Sequence, residues 1–74
     1  MSKENRDRFV RVAGPRVNKV LKALDSLEKC SNTYNYMYSE EDVDKMYGAI
    51  KSRLELLKKS FEKGLMKNNS EFKF

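Results

Sequence analysis

In two stretches of this chain apolar residues recur at alternating intervals of three and four. Val10, Ala13, Val17, Val20, Leu24 and Leu27 make the first run, and Val43, Tyr47, Ile50, Leu54, Leu57 and Phe61 make the second. An α-helix turns once in about 3.6 residues, so each run lines one helix face, whereas a half-buried strand would alternate by two. Phe9 and Leu21 widen the first stripe, and Met46 and Leu65 lie beside the second. Two heptad-like stripes in 74 residues predict an all-α fold, an antiparallel helical hairpin. The expected bounds are helix 1 over about residues 5–30, a connection over 31–39, helix 2 over about 40–63 and a frayed tail over 64–74 within a single domain.

A lone hairpin would leave one flank of each stripe wet. Phe9, Leu21, Met46, Leu56 and Met66 stand on those flanks, so the expectation is a homodimer in a four-helix arrangement, or a hairpin docked on another protein. So short a chain buries little core of its own, and the common supplements are absent. Cys30 is the single cysteine and there is no histidine, which excludes an internal disulfide and a Cys/His zinc site.

Gly14-Pro15 interrupts the first stripe. Pro15 has no N–H to donate to the Arg11 carbonyl and its ring crowds that carbonyl, so the first helix is expected to be kinked or broken there. The stripe keeps phase from Val10 through Val17, which favours a kinked continuous helix. The competing reading makes Arg8-Phe9-Val10-Arg11-Val12 a short strand ahead of two helices, as in ribbon-helix-helix DNA-binding proteins.

Between the stripes, Asn32 is expected to end the first helix in the left-handed conformation. Ser39 is an N-cap with Asp42 three residues on, and Glu40 and Glu41 lie against the positive end of the helix dipole. Tyr38 and Val43 have the spacing of a hydrophobic staple. If residues 33–38 are extended, Tyr34, Tyr36 and Tyr38 share one side. They are the candidate partner-binding residues, as aromatic anchors, although closing the open end of the hairpin is the plainer role. Gly64 is the expected terminator of the second helix, and Phe72 and Phe74 beyond it are candidates to dock on the body or on a partner.

The net charge of +5 is unevenly placed. Residues 1–29 carry eight basic and four acidic side chains, residues 30–44 none and four, and residues 45–74 eight and three. At about 100° per residue, Arg8, Arg11, Lys19, Lys22 and Lys29 fall in one sector almost opposite the first apolar stripe, the candidate nucleic-acid-binding residues. A solvated face that keeps the protein soluble accounts for the same row. Catalysis has little to work with: no histidine, no Gly-rich phosphate loop, no nucleophile beside a base, and acids that follow no calcium-loop spacing. The chain is therefore expected to be no enzyme and to need no cofactor or metal. Cys30 reads as a small apolar group near the helix end rather than a reactive thiol. The charged N-terminus lacks an apolar signal core and no run is long enough to span a bilayer, so a cytoplasmic protein with no membrane partner is expected.

The segments RFVRVAGPRVNKVLKAL, CSNTYNYMYSEEDVDKMYGAI and LKKSFEKG resemble small uncharacterised basic proteins encoded on plasmids, prophages and integrative elements of Gram-positive bacteria. The likeness covers residues 8–63 and is most particular at Arg16-Val17-Asn18-Lys19 and along the run from Ser31 to Val43. Those proteins have an unbroken helix where this chain has Gly14-Pro15. The resemblance implies mobile-element biology and two function classes. One is a nucleic-acid-associated accessory or regulatory protein. The other is a protein-binding inhibitor of a host machine, such as an anti-CRISPR-like antagonist of a defence nuclease, acting on an acidic host surface.

Overall fold

A computed structural model describes residues 3–69. It is all-α: α1 spans Lys3–Glu28, a 3-10 turn follows at Lys29–Ser31, and α2 spans Glu40–Asn69, with no strand among the described residues. The chain divides into two units, Met1–Met37 and Tyr38–Phe74.

In the first unit α1 runs unbroken past Gly14-Pro15, with Pro15 inside it. The broken helix and the strand over residues 8–12 are thus both corrected to continuous helix. The residue before a proline is pushed out of the helical region mainly by its own Cβ and amide against the proline ring, and Gly14 has no Cβ to clash. The costs that remain lie at the Arg11 carbonyl, which loses the hydrogen bond Pro15 cannot give and is crowded by its ring. The in-phase stripe on either side, Val10 and Ala13 before, Val17 and Val20 after, shows why one helix accommodates both halves.

The end of α1 differs from the expected left-handed cap. Asn32 is extended, at φ −68° and ψ 107°, and no described non-glycine residue has a positive φ. The helix tightens instead into the 3-10 turn, whose last bond runs from the Asn32 N–H to the Lys29 carbonyl at 3.4 Å. Asn32 then nucleates the next turn with its side chain: Oδ1 accepts from the Tyr34 N–H at 2.9 Å. Its carbonyl accepts from the N–H groups of Asn35 and Tyr36 at 3.2 and 3.0 Å. This is the local bonding that makes asparagine a turn residue. It turns residues 33–35, so the extended stretch that would put Tyr34, Tyr36 and Tyr38 on one side is not formed.

In the second unit the start of α2 is the capping box read from the sequence. The Asp42 N–H donates to Ser39 Oγ at 3.2 Å, and the Ser39 N–H donates to Asp42 Oδ2 at 3.0 Å. The first helical bond, Val43 N–H to the Ser39 carbonyl, is 3.1 Å. One turn on, Lys45 Nζ pairs with Glu41 Oε1 at 3.3 Å. Ser39→Ala is expected to lose about 1 kcal/mol, the usual cost of removing such a cap. Thermal melts followed by circular dichroism check this, and an unchanged melt would show that the box contributes nothing.

The other end of α2 corrects the terminator. Gly64 stands inside the helix, which continues to Asn69. Glycine stops a helix by taking a positive φ, and no described glycine has one. In a helical conformation Gly64 costs only about 1 kcal/mol against alanine, and the Leu-Met-Lys that follows propagates well. Phe72 and Phe74 lie outside the described residues.

Each unit, taken by itself, is an amphipathic helix with its stripe open. None of residues 3–66 is buried. Of the residues expected in a core, Leu24, Leu27 and Leu54 keep 38%, 37% and 49% of their surface exposed, and Ile50 is half-covered.

Candidate nucleic-acid interface

The unbroken α1 aligns the basic sector. Arg8, Arg11, Lys19 and Lys22 all lie within it, about 21 Å from first to last at 1.5 Å per residue. Lys29 falls one residue past the end of α1, in the 3-10 turn. There the rotation rises to about 120° per residue, which leaves Lys29 within the sector. Glu4, Pro15 and Ser26 share it, and only Glu4 brings a negative charge, near its N-terminal end.

Not every cation of α1 joins the row. The Arg6 guanidinium lies 5.8 Å from the centroid of the Phe9 ring, on the apolar side, within the range of a cation–π contact. On α2 the Lys51 ammonium lies 6.0 Å from the centroid of Tyr47. Sequence reasoning passed over both pairs, although the signal is plain: a cation three or four residues from an aromatic on a helix is its neighbour.

Of the partner-binding candidates, Tyr34 sits on the Asn32-centred turn with 97% of its surface exposed, and Met37 after it with 99%. Tyr36 is about half-exposed and Tyr38, directly before the cap, is more covered. Cys30 is exposed and free, in the 3-10 turn rather than packed against apolar neighbours. The acids of residues 40–44 are engaged at the helix start through Asp42 and Glu41, and no group of acids, cysteines or histidines among the described residues has the arrangement to hold a metal ion. Among the described residues no helix is long and apolar enough to cross a membrane. Comparison of the chain with family models, curated proteins and solved structures finds no match.

Proposed function

We propose that this chain is a small, non-enzymatic, cytoplasmic binding protein of a mobile genetic element, with a nucleic-acid-associated accessory or regulatory role through the basic face of α1. In this reading the two helices close as an antiparallel hairpin and two hairpins share their stripes in a four-helix dimer. The observation that carries the reading is the continuity of α1 through Pro15, which keeps Arg8, Arg11, Lys19 and Lys22 on one sector of a single rod. A row about 21 Å long matches roughly six base-pair steps of about 3.4 Å. Each cation there is free to release a condensed counterion from a phosphate, and none of these cations reads a base.

Neutralising Arg11, Lys19 and Lys22 together should weaken binding evenly across sequences and flatten the salt dependence, by nearly one unit of log–log slope for each phosphate that is no longer neutralised. Folding should survive, because the three side chains are exposed. Fluorescence anisotropy on random-sequence duplex and single-stranded DNA at two salt concentrations reads both effects. Wild-type binding no tighter than about 100 μM at low salt, weaker than ordinary non-specific binders, would end this reading.

A second reading, an inhibitor seated on an acidic host protein, is favoured by the exposure of Tyr34 and Met37, since a rigid aromatic on a bonded turn is a ready anchor. It makes the opposite forecast. The charge changes on α1 are tolerated, Tyr34→Ala or Tyr36→Ala abolishes capture, and capture from host lysate survives nuclease treatment.

A further inference from the structure

The charges of α2 are polarised along its length. Its start carries Glu40, Glu41, Asp42 and Asp44, and its later turns carry Lys58, Lys59 and Lys63. Its stripe, Val43, Tyr47, Ile50, Leu54, Leu57 and Phe61, is exposed apart from the half-covered Ile50. We propose that this face is the dimer interface, taken by α2 of a second copy running antiparallel about a two-fold axis between Ile50 and Leu54.

Three physical facts select that occupant and that direction. Parallel self-pairing would lay acid on acid at one end and lysine on lysine at the other. Reversal sets each acidic start beside a basic end and opposes the helix dipoles. In the register centred between Ile50 and Leu54, Val43 faces Phe61 of the second copy, Tyr47 faces Leu57 and Ile50 faces Leu54. The two-fold repeats each pair, so all six stripe residues meet an apolar residue and every layer sets a larger side chain against a smaller or similar one.

The flanks follow from the same register. Asp44 comes beside Lys58 of the second copy, and this pair forms twice. Lys51 and Arg53 each approach their own counterpart near the axis. The Lys51 ammonium is drawn back over its own Tyr47 ring, and Arg53 is exposed and long enough to reach water. Ser60, on the Arg53 flank, already donates its hydroxyl to the Leu56 carbonyl at 3.1 Å, so covering it orphans no donor. Met46 stands on that same flank and comes beside Ser60 of the second copy. The inference does not rest on nucleic-acid binding, because no residue of the basic sector takes part.

Asp44 and Lys58 are about 21 Å apart along one helix and cannot meet within it. A charge exchange therefore isolates the pairing between copies. Sedimentation equilibrium of the full chain should show a wild-type dimer at tens of micromolar. Asp44→Lys and Lys58→Glu, made singly, should each weaken dimerisation about tenfold, since two attractions become two repulsions of the size usual for exposed pairs. The double variant should return to within about threefold of wild type. Each change is also unfavourable within its own helix, since Asp44→Lys sets a cation near the positive start and Lys58→Glu sets an acid three and four residues from Glu55 and Glu62, so a purely local effect would make the double variant the weakest of all. That result would overturn the proposal, as would single variants that dimerise like wild type or a wild type monomeric at about 100 μM. Circular dichroism of the same samples confirms that helix content is retained in each variant. The α1 charge variants, tested by anisotropy, fail or succeed separately.

Discussion

Leu54→Ala, and separately Leu24→Ala, is expected to lower stability by about 2–5 kcal/mol, a loss on the scale of the total stability of so small a protein. The figure belongs to a leucine buried in a packed assembly, with its transfer energy and the cavity it leaves. The sign is informative because an isolated helix predicts the reverse. On a single exposed helix leucine and alanine differ little in propensity and alanine is slightly the better, so helicity would hold or rise. At about 4–8 °C per kcal/mol, packing predicts a fall in melting temperature of roughly 8 °C or more, steeper for Leu54→Ala when the protein is dilute. Unchanged melts for both variants would refute the packed hairpin and its dimer together.

Pro15→Ala should act as strongly in the other direction. Alanine restores the N–H that the Arg11 carbonyl lacks and removes the ring that crowds it, a gain of up to about 3 kcal/mol in an exposed helix interior. Gly14→Ala behaves differently in the two backgrounds. Apart from its chain neighbours and the backbone of its own helix, nothing among the described residues lies within 4 Å of a Cβ added at Gly14. With Pro15 in place, however, the new Cβ meets the proline ring and the substitution should gain nothing. In the Pro15→Ala background it should gain about 0.5–1 kcal/mol. A double-mutant cycle by thermal melts measures this coupling, and additivity would show that Gly14 is not there to accommodate the proline.

What could be read from the sequence was what is decided within a few residues. The stripes set the two helices, and Ser39 with Asp42 set the start of the second, because a capping box needs only the four residues it joins. Asn32 was harder for a local reason too: the residue suits both a left-handed cap and a side-chain-bonded turn, and the Oδ1 bond to the Tyr34 amide decides for the turn. That turn also undid the alternation assumed for the tyrosines. Gly64 misled because glycine marks helix ends by frequency, while a helix stops only where the next residues leave it. The basic sector was legible through Lys22, since a wheel needs nothing beyond continuity, yet continuity through Gly14-Pro15 depended on the missing Cβ rather than on propensity. What covers the stripes was not legible, because an apolar face specifies burial and not its occupant.

The closed box at Ser39 also sets a counting frame. The angular position of every later residue of α2 is counted from Ser39 and Asp42, and from nothing upstream. Residues added before Tyr38 leave that count intact, so the connection tolerates duplication without moving one apolar residue of α2 off its face. A single residue added between Tyr47 and Ile50 rotates everything after it by about 100° and carries Ile50, Leu54, Leu57 and Phe61 more than a quarter-turn away from Val43 and Tyr47. Insertions in the connection are therefore neutral to the register of α2, and those inside α2 are ruinous.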